Sequence, residues 1–591
     1  SAEVNMGLFS PNIIANSLIC CAKYNPEGEV IIHKNRRITR AELKTRSFEI
    51  AQALVKLGVK KDDKVAFMFH NIPEFIYINY GIQIAGAIPA PMNYRFIPRE
   101  VEYQGEHSDA VVFIYDSIWA KSVEPAIKNM SKVKHFVCMG QSELDNVIDY
   151  NDFVNSGEDK DPQVENDWDD VAVMIYTGGT TGFPKGVLLT YGAHVDMFGS
   201  MSSSFVIRAL TMDMSVAKHQ KFVDSLPIPA KKVMGKILRT GFVKKLLKRP
   251  AAEESLKNRF RDVLSKPEVA KSGYGTVINS MYPSMPFFHD ASYSNLLIGA
   301  LTGNYCFILP DEMSFDPAHI LELIEREKVE ILANVPTGWK KLVSFPDIGK
   351  YDTSSLRIAT AGGGATSLAL KKKLLEAFPQ IILLDVFGQT EMTPITSFRI
   401  DVDTKNLKER SVGKSIVDVR VVDDNGNDVP QGETGEIMYR SSTIMKGYYK
   451  DEEKTDEVMQ DGWFKGGDLG YIDETGEIRV RERKKECINT GGEKVFPLEV
   501  EEILQVHPKI DEICVIGVPD EEWGSTVRAV VQLNEGEIME LEEIKDFCRD
   551  KIAGYKIPRS AVFIDQLPFS PVGKMLRQKV RDIHGQPDKN S

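Results

Sequence analysis

Glycines, threonines and a lysine crowd residues 176–186, YTGGTTGFPKG: four Gly, three Thr and Lys185 in eleven positions. Glycine lets a backbone approach a phosphate and present its N–H groups as donors. Here Gly178 and Gly179 give the close approach. Thr177, Thr180 and Thr181 add hydroxyl donors, and Lys185 adds a positive charge, so the segment suits a pyrophosphate. It is not a Walker A loop, which needs Gly-Lys followed by Ser or Thr. Pro184 precedes this lysine and Gly186 follows it. The apolar run 171–175 ahead of the loop reads as a strand.

Further along, the chain carries in order FGQTE (387–391), WFKGGD (463–468), RERKK (481–485), GGEKVFP (491–497) and PVGK (571–574). With the phosphate loop, this ordered set resembles the signatures of the acyl-adenylate-forming superfamily, which includes acyl-CoA synthetases, adenylation domains of peptide synthetases, and luciferases. The resemblance covers about residues 30–580, apart from 204–275.

The resemblance implies an ATP-dependent enzyme that joins a carboxylic acid to AMP with Mg²⁺, releases pyrophosphate, and passes the acyl group to coenzyme A. Phe387 then stacks on adenine, Thr390 lies near the α-phosphate, and Glu391 holds Mg²⁺ on the triphosphate. Asp385 accepts from the adenine amino group, with Val386, Gly388 and Gln389 in the same nucleotide-binding stretch. Gly362, Gly363 and Gly364 lie along the other side of adenine. Asp468 receives both ribose hydroxyls, for which a carboxylate is an apt acceptor, and Arg483 is the second ribose contact. Lys574 is the catalytic cation, placed between an anionic carboxylate and an anionic phosphate. Lys485 is the hinge whose rotation removes Lys574 and presents Gly491 and Gly492 to the pantetheine arm. The basic residues of 551–559 offer a contact for coenzyme A phosphates. His289 is the aromatic gate near the carboxylate, and Asp290, Val335, Trp339 and Gly364 wall the acid pocket. Trp339 would shorten that pocket, pointing to a compact aromatic or alicyclic acid or a short-to-medium fatty acid. Asp290, if it faces the pocket, admits an amino acid. Two other readings stay open: an enzyme that loads a separate carrier protein, and a catalytically dead member of the fold used for binding.

These residues need a scaffold. Between 38 and 115 helical patterns (41–57, 74–85) alternate with strand patterns (64–69, 86–91), and the alternation resumes from 276 to 384. That pattern predicts an α/β protein whose large N-terminal domain, 1–482, holds two βαβ-type sheets. Short strand patterns at 417–422, 435–439 and 470–473, separated by Asp/Asn/Gly turns, add a small β-subdomain. Residues 483–591 read as a small mobile α+β domain with strands at 513–518 and 526–533 and a helix at 541–551.

The chain has 591 residues, 42% of them hydrophobic, which favours more than one domain. Its net charge of -12 argues against nucleic acid as a partner. Seven irregularly spaced cysteines fit neither a disulfide framework nor a zinc site and point to the cytoplasm. No apolar run reaches the roughly 20 residues that span a bilayer, and no secretory signal is expected. One segment departs from the acidic whole. Residues 231–249, KKVMGKILRTGFVKKLLKR, hold eight Lys/Arg and no acid, with Val233, Ile237, Phe242 and Leu246 at helical spacing. The simpler reading of the 204–275 insertion is helices packed on their own domain with solvated lysines. The alternative is contact with an anionic membrane or with ligand phosphates. Gly235 and Gly241 argue against one continuous helix.

Overall fold

Why two sheets form can be seen at one early helix and the strand that follows it. Thr39 caps the helix Arg40–Lys56 by accepting from the Glu42 N–H at 3.2 Å. The chain then turns at Gly58, whose φ of +85° suits glycine. The strand Lys64–Met68 that follows is buried from its second residue onward, the mark of a parallel strand covered on both faces. The computed structural model describes residues 12–177, 184–225, 231–266, 277–364, 366–490, 493–549, 551–570 and 575–587.

Lys64–Met68 lies inside a wholly parallel five-stranded sheet with Ile88–Pro91, Ala110–Asp116, His135–Met139 and Val147–Asp149. The second sheet has nine strands. Its parallel centre runs Ile382–Gly388, Ile358–Ala361, Ile331–Asn334, Ile278–Met281, Tyr305–Leu309 and Glu29–His33, with antiparallel strands at both edges. The hairpin 29–39 thus closes a sheet whose other strands all come after residue 277, a long-range pairing that local pattern cannot show. The helix Pro73–Ile84 is buried on nearly every side, as expected of a helix apolar all round. The Tyr80 hydroxyl donates to Leu296 O at 2.6 Å and the Gln83 amide to Ala172 O at 2.9 Å, tying the two sheet regions together.

The β-rich stretch forms an antiparallel sheet of Asp418–Val422, Gly435–Arg440, Trp463–Ile472 and Met459–Gln460, with Ile478–Arg483 against Trp463–Ile472. Beyond residue 487, Ile510–Asp520, Gly524–Leu533 and Ser560–Ile564 form a three-stranded sheet. The helix there ends at Cys548, short of the 551 its sequence pattern suggests. Two apolar clusters in this region draw only on residues from 488 onward.

Candidate active site

Three parallel strands end side by side. The register aligns Asn334 with Ala361 and Ala361 with Asp385, so the segments after these strands emerge together at one sheet edge. Ligands of open α/β sheets bind at this edge, where loops leave the carboxyl ends of the strands. Gly363 takes φ +79°, and a side chain on Gly362 would come within 2.6 Å of Val386 Cγ2. Glycine is therefore what lets this loop lie on Val386. A side chain at Gly363 would sit 3.6 Å from Val335, so Gly362, Gly363, Val335 and Val386 share one corner. Gly364 lies by Pro336, and the half-buried Phe387 follows on the neighbouring strand. Gly388 ends that strand, and Thr390 opens the short turn Thr390–Met392 that also carries Glu391.

The phosphate-loop segment stands on a different support from a Walker A loop. Val171–Thr177 and Lys185–Thr190 form an antiparallel hairpin with Thr177 opposite Lys185. Gly447–Tyr448 adds a third strand. Tyr448 is placed by that pairing to contact two candidate residues. Lys185 Nζ lies 4.7 Å above its ring, and its hydroxyl donates to Glu391 Oε1 at 2.8 Å. Burial, and next the Glu391 charge, push the Tyr448 hydroxyl above its usual range, so it remains a donor. Among the described residues Glu391 Oε2 has no protein partner. A single open carboxylate oxygen suits Mg²⁺, which keeps most of its shell for water and phosphate. No group of three or more His, Cys, Asp or Glu that could cage a metal occurs among the described residues.

The ribose candidates meet across two strands. Asp468 and Arg483 are cross-strand partners, and Arg483 Nε lies 2.9 Å from Asp468 Oδ1. The other carboxylate oxygen accepts from Gln389 Nε2 at 2.7 Å, and the same amide nitrogen donates to Gly466 O at 2.8 Å. Arg483 Nη1 also reaches Gly466 O, at 2.8 Å. Gln389 therefore joins the FGQTE and GGD segments. A Cβ at Gly466 would fall 2.6 Å from Gln389 Nε2, so the glycine is the space this amide occupies. Asp468 is buried, so a diol reaching it must displace the Gln389 amide or share its oxygens.

Three expected roles need correction. Asp385 does not offer its carboxylate to adenine. It is buried, 2.5 Å from Lys371 Nζ, and accepts from Thr366 Oγ1 at 3.1 Å, because strand alternation turns it away from the face that carries Val386. Trp339 is a core residue and not a pocket wall. It is fully buried, stacks edge-on to Phe378, and donates from Nε1 to Thr360 O at 3.0 Å. The helix Pro336–Val343 sets Trp339 and Leu342 on its sheet-facing side. Asp290 is turned inward between two helices. Its Oδ1 accepts from Ser294 at 2.8 Å and lies 3.6 Å from His194 Nε2.

His289 stands at the N-terminal boundary of the helix Asp290–Thr302, half-buried, with its ring 4.7 Å from that of Phe288. Asn71 clamps the preceding segment from the other sheet. It donates to Met285 O at 3.1 Å and accepts from Phe287 N at 2.9 Å. Asn71 and Tyr448 escaped the sequence reading because each acts through a long-range contact that carries no local signature. Lys485 is exposed in the turn Lys484–Glu486, where desolvation by its neighbours, and next the Arg483 charge, lower its ammonium below the ordinary lysine range. Gly178, Gly179, Thr180, Thr181, Gly491, Gly492 and Lys574 lie outside the described residues.

Comparison with known proteins agrees with this architecture. The profile of the AMP-binding enzyme family matches residues 21–223 and 268–449, and that of the AMP-binding enzyme C-terminal domain matches 499–574. A feruloyl-CoA synthase of Amycolatopsis sp. is 28% identical, with 95% of this chain and 97% of the relative aligned. A 4-coumarate–CoA ligase of Solanum tuberosum is 29% identical over 95% of this chain and 91% of its own. The crystal structure of an anthranilate CoA ligase in complex with anthranoyl-AMP superposes with a TM-score of 0.77 at 23% identity, covering 96% of each chain. The chain belongs to the AMP-binding enzyme family, in the class of acyl-CoA synthetases and CoA ligases. ATP, Mg²⁺ and coenzyme A are the reactants and cofactors of that class.

Proposed function

We propose that the protein is an AMP-forming acid–CoA ligase whose acid is compact and aromatic. The observation that carries the reading is the meeting of Gln389 and Asp468, which joins two distant nucleotide-binding motifs into one surface. Beside it, Lys185 and Glu391 share Tyr448. Phe387 stacks on adenine, Asp468 and Arg483 receive the ribose, and Thr177–Lys185 cradles the phosphates. Glu391 gives one oxygen to Mg²⁺, which supplies charge neutralisation of the triphosphate when bound. Lys574 serves as the cation that offsets the repulsion between the attacking carboxylate and the α-phosphate. Rotation about Lys485 then withdraws Lys574 and brings Gly491 and Gly492 to the thiol arm. With Trp339 in the core, the size of the acid is supported by the full-length relatives, one named for ferulate and one for 4-coumarate.

The reading places the enzyme in the cytoplasm, in keeping with seven cysteines whose irregular spacing fits no disulfide framework. It assigns the basic insertion to membrane contact; no helix among the described residues is long and apolar enough to cross a bilayer.

The test is ATP–pyrophosphate exchange across aromatic, aliphatic and amino acids without coenzyme A, followed by thiol acceptor choice. Exchange with a hydroxycinnamate or benzoate and thioester formation with coenzyme A are expected. Exchange that yields thioester only on a carrier protein would replace the reading, and no exchange with any acid would leave a binding protein. Lys574→Ala is expected to lower exchange about 10²–10³-fold while keeping thioester formation from supplied acyl-adenylate.

A further inference from the structure

Residues 224–267 fall between the two stretches that the family profile matches. They are an addition to the shared scaffold, and their surface differs from the rest of the acidic chain. The helices Lys231–Leu238 and Gly241–Leu247 each have two apolar sides. The inner side is satisfied: Met234, Leu238, Val243 and Leu247 pack with Phe222, Ile382, Leu384 and Phe398. The outer side is not covered. Val233 and Ile237, one turn apart, are 58% and 42% exposed, and Phe242 and Leu246, again one turn apart, are 80% and 44% exposed. Around them Lys232, Lys236, Arg239, Lys245, Lys248 and Arg249 are exposed, and none of the six is ion-paired among the described residues.

Since the inner faces already meet the needs of folding, an exposed apolar stripe on the outer faces has another use. Its chemistry is aliphatic side chains and one aromatic ring, rimmed by cations, with no acid from 231 to 249. Single-stranded nucleic acid is held by rows of stacking aromatics, whereas Phe242 is the only aromatic of this stretch. Four apolar side chains rimmed by lysine and arginine match a bilayer, with acyl chains below and anionic headgroups above. We propose that residues 231–249 form a peripheral docking surface for an anionic lipid bilayer.

The full chain is tested by co-sedimentation with vesicles of phosphatidylcholine alone and of phosphatidylcholine with phosphatidylserine. Binding only to the anionic vesicles, weakened by salt, is expected. Lys245→Gln with Lys248→Gln should lower the partition coefficient about fivefold for each charge removed. Ile237→Glu with Phe242→Glu should abolish binding and leave ATP–pyrophosphate exchange unchanged, since neither residue touches the candidate site. The lysine pair serves as the test if the glutamate pair fails to fold. No partition into anionic vesicles overturns the proposal. So does binding that survives both pairs, or binding to duplex DNA as tight as to vesicles and indifferent to the glutamates.

Discussion

Replacing Asp468 by asparagine tests the site at its junction. Asp468 Oδ1 accepts from Arg483 at 2.9 Å and Oδ2 from Gln389 at 2.7 Å, while the Gln389 amide also donates to Gly466 O at 2.8 Å. An asparagine has one acceptor oxygen and one donor nitrogen. If its oxygen stays with Arg483, its NH₂ faces the NH₂ of Gln389. Flipping the Gln389 amide relieves that contact but sets its oxygen against Gly466 O. Every arrangement loses a hydrogen bond, and the Arg483 pair also loses its charge. Hydrogen bonds to charged groups are worth about 1.5–3 kcal/mol, so Asp468→Asn should raise the KM for ATP in pyrophosphate exchange by about 10- to 100-fold. Gln389→Ala removes the clash, so the double variant should lose less than the sum of the two single losses. An unchanged KM in Asp468→Asn, or additive losses, would refute the reasoning.

Tyr448→Phe removes the donor to Glu391 Oε1, and should raise the KM for MgATP about tenfold with AMP affinity unchanged, measured by exchange and by calorimetry. Trp339→Ala should cost about 3–5 kcal/mol in denaturant unfolding and leave the KM for the acid unchanged, because the ring lies in the core. Glu502, in the C-terminal unit, pairs with Arg410 of the large one, and burial raises its carboxyl to about 7. The docked arrangement therefore holds a proton that the undocked one releases nearer the usual carboxylate range. Its stabilisation is complete at low pH and is lost as pH rises through about 7. Scattering across a range of about pH 5 to 8 should show the contact loosening, and Glu502→Gln should flatten the profile.

The parallel strands were legible because buried strands leave continuous apolar runs between turn residues, as at Lys64–Met68. The motif order was legible too, since each glycine and acid carries local chemistry. What escaped was set at long range. The hairpin at 29–39 declares its sheet only through pairing with Tyr305–Leu309. Asp385 read as a ligand because it adjoins the FGQTE motif, whereas Lys371 of the helix Leu368–Ala377 pairs with it. Trp339 read as a wall because large aromatics suit pockets, and only the helix phase shows that it faces the sheet. The insertion kept its helical spacing, but the break falls at Arg239–Thr240 and not at Gly235, which lies inside a helix against Gln220.

The contacts of the C-terminal unit bear on the proposed rotation. Lys340 reaches Asp511 at 3.0 Å and Glu512 at 2.8 Å, and Arg410 reaches Glu502. Lys340 is 42% exposed in its side chain and Asp511 37%, and pairs so open to water contribute about 1 kcal/mol or less. An apolar interface would cost about 25 cal/mol for each Å² opened, whereas Lys340 and Asp511 exchange each other for water at little net cost. The unit meanwhile keeps its own apolar clusters, which rotation leaves intact. The proposed alternation, in which Lys574 serves one half-reaction and withdraws for the other, would be served by a boundary that parts at so little cost.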